Sequence, residues 1–228
     1  HTPYRLSPLN FKVGDKEYFN ERPISTQQSG FVFVAQMRAN KPDPIGGVLW
    51  FGVDDANMAV FTPVYCCTTK APLCYTRVDG ADYITFSWNS AFWIFNWVAN
   101  MVYPRYDLMI DDVRATQTEL ETTFNEAQEG VEAAAAKLLE KDPAKAKAFL
   151  TNYTNMTAQS TFDTWKRLGE FLVVKYNDGV VKRMKNGQFE RNSIGQPAGV
   201  IRPGYPKEFL EEYVKPVSYT HLTLPTIA

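Results

Sequence analysis

Histidine is almost absent from this 228-residue chain: the only two are His1 and His221. A Ser–His–Asp or Cys–His arrangement therefore lacks its base within the body of the sequence. Zinc sites built on imidazole go with it. Cysteine is scarce too, with Cys66, Cys67 and Cys74 and no C-x-x-C pair. Adjacent cysteines do not bridge easily, so no disulfide framework is read and no redox compartment is fixed. No apolar run approaches the roughly 18 residues that a membrane span needs, and no membrane partner is expected. Net charge is −1 with no basic block, so no nucleic-acid partner is expected either. Neither G-x-G-x-x-G nor G-x-x-x-x-G-K-S occurs, so no phosphate-cradling loop is indicated.

What is present is a strong apolar pattern. Hydrophobic residues make up 45% and charged residues 21%, a globular balance. The organising stretch runs from Glu21 to Val53. Its two apolar runs, Gly30–Met37 and Gly47–Val53, flank a loop holding Pro42, Pro44 and Gly46-Gly47. That pattern predicts two adjacent antiparallel strands. Their near-continuous apolar character predicts that both sheet faces are covered. Ala59–Cys67 is expected to add a third strand, Ala81–Trp88 a short strand or an extended lead-in, and FKVGDKEYF a hairpin around Gly14-Asp15.

Helices follow. One begins after Asn89 or Ser90, carries Phe92, Phe95, Ala99 and Val102, and is kinked or ended by Pro104. A second, opened by Asp111 and Asp112, has the stripe Val113, Leu120, Phe124, Ala127, Val131, Ala134 and Leu138, with a Glu-rich solvated face opposite. Asp142-Pro143 caps a third, which is weak at Thr154–Thr161. LVVKYNDGVVKRM reads as a small hairpin, and Gly187–Pro216 as an irregular surface tail.

Three polar features could carry chemistry. Arg22, Ser25, Thr26, Gln27, Gln28 and Ser29 precede a buried strand, where donors could hold a carboxylate or an oxyanion. Asn96 and Asn100 share one face of an apolar helix. Bridging from helix to backbone is the preferred explanation of such amides over ligand contact. The pairs Asp54-Asp55 and Asp111-Asp112 read as turn and cap residues, although acid–base work could use them.

KEYFNERPISTQQSGFVFVAQMR, PDPIGGVLWFGVDD and TFSWNSAFWIFNWVANMVYPRYDLMIDD, followed by LEKDPAKAKAFLTNYT, WKRLGEFLVVKYNDG and PGYPKEF, form a collinear set. It resembles the C-terminal half of the dipeptidase A family (peptidase family C69), the N-terminal-nucleophile cysteine dipeptidases related to secernins. The resemblance runs from His1 to about Lys215. It implies the α+β class, as part of an Ntn-hydrolase αββα sandwich, and a dipeptide substrate. It also implies an amino-terminal cysteine nucleophile whose own α-amine is the base, with no cofactor. Arg22 and Ser25 match the family's Arg-x-Ile-Ser element and are expected to line the substrate cleft, with Asn96 as polar support.

The nucleophile is expected upstream of His1, with residues 1–216 the C-terminal portion of one domain. Val217–Ala228 is left out of the fold because VSYTHLTLPT resembles translated sequencing adapter. Homo-oligomer formation is left open. The alternative is a non-catalytic, secernin-like binding or scaffold protein of the same fold.

Overall fold

The computed structural model describes residues 10–19 and 24–214. It falls into two compact units that divide between Val173 and Val174. The expected adapter-like segment from Val217 lies outside the described residues.

In the first unit, β1 (Phe11–Val13) and β2 (Lys16–Tyr18) form the hairpin expected around Gly14, whose φ of 60° a side chain would strain. The main sheet has three antiparallel strands, β3 (Phe31–Met37), β4 (Gly47–Val53) and β5 (Thr62–Tyr65), in that order. Phe31 faces Val53 and Met37 faces Gly47 across the first pair. A single helical turn, α1 (Asp43–Gly46), connects them. Gly46 packs there so closely that a Cβ would lie 2.8 Å from the Arg38 carbonyl.

The helices are α2 (Ala91–Val102), α3 (Tyr106–Leu139) and α4 (Pro143–Tyr176). Pro104 ends α2 as expected, in a short turn at Tyr103–Arg105. α3 then starts one turn earlier than its Asp pair suggests, with Asp107 as the first-turn acid. The Asp142 carboxylate accepts from the Ala144 and Lys145 amides at 3.0 and 3.2 Å and caps α4. The class is α+β, as the sequence implies.

Side chains alternate across a strand, so each strand offers two faces. One face packs on the helices: Val48 and Tyr65 meet Ile45, Ala135 and Leu150 in a core cluster. The other face corrects the sequence expectation. Among the described residues it is open along β3, where Phe31 and Phe33 keep 61% and 51% of their surface, while on β4 Val53 is buried and Tyr75 packs on Phe51. Apolar composition alone does not distinguish a two-sided buried strand from one whose aromatic face is open.

The two sheet edges also differ. The outer edge of β5 is met by a threonine row on α4. Thr154 Oγ1 accepts from the Tyr65 amide at 3.2 Å and Thr151 Oγ1 from the Thr69 amide at 3.1 Å, while Thr62 and Thr161 hydroxyls pair at 3.3 Å. The polar middle that makes α4 look weak in sequence thus gives the buried Tyr65 amide on the edge of β5 its acceptor, with further bonds to Thr62 and to Thr69 beyond the strand.

Two further expectations fail. Ala81–Trp88 is not a strand but a set of turns with a lone bridge between Asp82 and Thr85. Asp79 accepts from Ser87 Oγ and Asn89 Nδ2, and Trp93 Nε1 donates to the Thr85 carbonyl at 2.8 Å. Such local bonds compete with a ladder. LVVK continues α4 rather than opening a hairpin, because the 3.6-residue burial of Leu168 and Leu172 carries on through it. In the second unit the Asn177–Gly179 turn therefore leads from a helix into β6 (Val181–Lys182). That strand pairs with β9 (Val200–Ile201), while β7 (Met184–Lys185) pairs with β8 (Gln188–Phe189). Of these, β8 and β9 fall in the stretch that reads as an irregular tail, as does α5 (Lys207–Tyr213).

In the first unit α4 meets α2 closely at Gly169, where a Cβ would lie 2.2 Å from Trp97 Cζ3. Gly169→Ala is expected to lower stability by about 1–3 kcal/mol, the usual cost of overpacking, measured by urea denaturation. An unchanged midpoint would mean that the Trp97 ring moves aside freely.

Candidate active site

β4 ends on two acids. Asp54 takes a left-handed backbone, φ 70°, which Asp tolerates better than most side chains. Its amide donates to the Gly30 carbonyl at 3.0 Å, so the reversal is tied to the start of β3. Asp55 begins the next turn, with the Met58 amide donating to its carbonyl at 3.0 Å. Both acids are buried, at 1% and 0% exposure. They read in the sequence as turn residues, and they do make a turn, but burial of two adjacent carboxylates exceeds what a turn requires.

The two carboxylates are partnered unequally. Asp55 is satisfied on both oxygens. Ser25 Oγ and the Asn57 amide donate to Oδ1, the amide at 2.9 Å, and Tyr103 OH donates to Oδ2. Ser25 Oγ also accepts from the Asn57 amide at 3.0 Å. Around this, Asn57 Nδ2 donates to Tyr106 OH at 2.9 Å, and Gln117 Nε2 donates to the Ala59 carbonyl at 2.6 Å. Asn96 Nδ2 donates to Asp54 Oδ1 at 3.0 Å, and among the described residues the buried Oδ2 has no hydrogen-bond partner. Burial pushes the Asp54 carboxyl up to about 7; the Asn96 bond opposes this, and the neighbouring Asp55 charge adds to it.

Of the residues singled out in the sequence, Ser25 and Asn96 are brought to this acid pair from opposite directions, one from the segment before β3 and one from α2. Arg22 lies outside the described residues. Asn96 contacts a side chain, not only backbone: its Nδ2 serves Asp54, and its own Oδ1 accepts from Asn100 Nδ2 at 3.2 Å. Tyr103, Tyr106, Asn57 and Gln117 are not foreseen. The available signal was an Asp-Asp pair immediately after a seven-residue apolar strand, together with an amide on an apolar helix.

Among the described residues no thiol bonds to the acid pair, although Cys74 shares a pocket with Gly30 and Val53. Cys74 is buried, and desolvation pushes it up to about 11. Burial likewise raises Cys67, although the Lys147 charge works against this. Raised thiols are poor nucleophiles near neutrality. Among the described residues no three His, Cys, Asp or Glu side chains gather as a metal site, and no helix is long and apolar enough to cross a membrane.

The profile of peptidase family C69 matches residues 2–119. The chain belongs to peptidase family C69. No curated protein matches it. The matched part of this peptidase contains β1 to β5, α2 and the first part of α3, hence the whole acid cluster with Ser25, Asn96 and Tyr103. The chemistry of the family is peptide-bond hydrolysis, and among the described residues of the matched region the acid pair is where two buried carboxylates meet.

Proposed function

We propose that the chain forms the substrate-binding and supporting part of a cysteine dipeptidase whose nucleophile is an amino-terminal cysteine outside this sequence. The observation that carries the reading is the acid pair itself. Among the described residues it is a buried polar cluster at the end of a sheet with no imidazole and no thiol bonded to it, and burial raises Cys67 and Cys74. A site of this composition needs a nucleophile that brings its own base.

An amino-terminal cysteine does so. Its α-amine, with an unperturbed pKa of about 7.7–8.0, takes the thiol proton as sulfur attacks the scissile carbonyl. That proton then passes to the departing amine. Water next hydrolyses the thioester, regenerating the thiol and releasing the free carboxylate. Arg22 and Ser25 sit in the Arg-x-Ile-Ser element and are assigned to the cleft, with Asn96 and Asp55 as positioning residues around it. Dipeptides are the assigned substrates.

The test uses the enzyme carrying the amino-terminal cysteine. A triple variant with Cys66→Ser, Cys67→Ser and Cys74→Ser is expected to keep dipeptide turnover within about threefold, a loss of less than 1 kcal/mol in the barrier. Alkylating the amino-terminal cysteine is expected to abolish turnover, and the 228-residue chain alone is expected to be inactive. Activity in the isolated chain, or loss of activity in the folded triple variant, would overturn the assignment.

A further inference from the structure

A pocket of about 220 Å³ lies between the main sheet and the start of α2. Phe31, Phe51, Val53, Tyr75 and Phe92 form most of its wall. The rings of Phe31 and Phe51 stack at 5.9 Å between centroids, and Phe51 and Tyr75 meet at 5.4 Å. An apolar cavity of about 150 Å³ takes a benzene ring. This pocket therefore holds a ring together with a short polar group. Among the described residues no charged side chain lines it.

Its polar end is the first turn of α2, where Ser90, Ala91 and Phe92 line it. The first amides of a helix have no acceptor within the helix. Serine at the N-cap ordinarily supplies one, but the Ser90 side chain does not cap α2. Ser90 is only 4% exposed, and among the described residues its hydroxyl has no hydrogen-bond partner. The other polar side chains of the lining are engaged. Thr76 Oγ1 donates to the Leu73 carbonyl at 2.7 Å, Cys74 Sγ to the Ala158 carbonyl at 3.9 Å, and the Tyr75 hydroxyl pairs with Thr62. Asp79 does not serve the helix start either: it accepts from Ser87 and Asn89 and is not part of the lining. A buried serine and an uncapped helix start thus face one apolar pocket, an unfavourable arrangement unless an acceptor arrives. We propose that the pocket binds a small aryl carboxylate without an α-amine, its ring among Phe31, Phe51 and Phe92 and its carboxylate on the Ser90 hydroxyl and the free amides of α2.

The chemistry of the two ends agrees. The start of a helix carries a partial positive charge and presents donors, so it favours an anion. Hydrogen bonds to an ionised acceptor are stronger than those to a neutral one. At the other end, aromatic walls favour a ring by edge and offset contacts. An α-ammonium on the same ligand meets the positive end of α2 and finds no carboxylate in the lining. The pocket therefore selects against amino acids and peptides, and its ligand stands apart from the peptidase chemistry. Its position is nonetheless close to the acid pair. It shares Gly30 and Val53 with the turn at Asp54, whose amide donates to the Gly30 carbonyl at 3.0 Å, while neither Asp54 nor Asp55 lines it.

Calorimetric binding of 3-phenylpropionate, 3-phenylpropanamide and L-phenylalanine to the 228-residue chain tests the proposal. The propionate is expected to bind about tenfold more tightly than the amide, which lacks the charge, and than phenylalanine, which adds an ammonium. Ser90→Asp is expected to abolish its binding and to raise the urea midpoint, because a built-in carboxylate caps α2 and occupies the anion's place. Ser90→Ala is expected to weaken binding about tenfold with little change in the midpoint, since Ser90 makes no cap bond to lose. A serine kept only for structure would move the midpoint in Ser90→Ala and leave the preference for the acid unexplained. Equal affinity for acid and amide, or no binding of the acid, overturns the proposal. So does phenylalanine binding as tightly as the propionate, or undiminished binding of the propionate to folded Ser90→Asp or Ser90→Ala.

Discussion

Glu132→Ala is expected to destabilise the first unit by about 3–5 kcal/mol, more than a typical core truncation of similar size. Glu132 lies on α3, on the face that reads as Glu-rich and solvated, yet only 3% of its side chain is exposed. It binds Arg38 at the end of β3 through two contacts, 2.6 and 2.9 Å, and Lys41 at 3.1 Å. Tyr65 OH donates to it at 3.3 Å from β5. Arg38 also donates to the Ile45 carbonyl at 2.9 Å. One carboxylate thus holds both outer strands and the α1 connection to α3. Removing it leaves a guanidinium with 19% exposure and a buried phenol without their acceptor, and the uncompensated groups dominate the loss. The residual exposure of Arg38 favours the lower end of the range.

The pH dependence has a definite sign. Burial alone would raise the Glu132 carboxyl, but hydrogen bonds and charge from Arg38 and Lys41 outweigh it and hold the group below its ordinary 4.5. A depressed carboxyl contributes stability that is complete above its unfolded value and is lost as pH falls through the folded one. Wild type should therefore lose stability in acid below about pH 4.5, and Glu132→Gln should lose less over the same interval. Urea midpoints at pH 3, 4.5 and 6 measure this. Parallel curves for the two proteins would mean that the buried pair contributes nothing.

Much of this architecture is legible in the sequence. Alternation and turn residues locate β3, β4 and the hairpin at Gly14, because those signals are local. Asp142-Pro143 marks the start of α4 for the same reason. What is not legible depends on partners far along the chain. The threonines of α4 look like helix-weakening residues until the edge of β5 is placed against them. Glu132 looks like surface until Arg38 arrives from 94 residues away. The open aromatic face of β3 has the same composition as a covered one. At the site, Ser25 and Asn96 can be picked out as polar residues beside apolar elements, but their convergence on one acid pair cannot. Asp54-Asp55 is hidden by its resemblance to a common turn, since burial, not residue type, separates the two cases.

Asp54 gives the opposite pH signature. Its carboxyl rises from 3.8 in the unfolded chain to about 7 in the folded protein, chiefly through desolvation. Between those values the folded state binds the extra proton, so stability falls as pH rises and is lowest above about 7. At 1.36 kcal/mol per pKa unit the penalty is of the order of 4 kcal/mol. Asp54→Asn removes the charge, but its amide becomes a buried donor and costs about 1–3 kcal/mol where it finds no partner. The variant is therefore expected to gain about 1–3 kcal/mol over wild type at pH 8 and to lose that advantage by pH 5. Measuring both proteins at both pH values separates Asp54 from Glu132, whose contribution is common to them. A variant less stable than wild type at pH 8 would mark Asp54 as a structural acceptor. The expected result marks a carboxylate that folding alone disfavours. Such a group persists where function requires it, because selection tolerates lost stability only down to the threshold for folding.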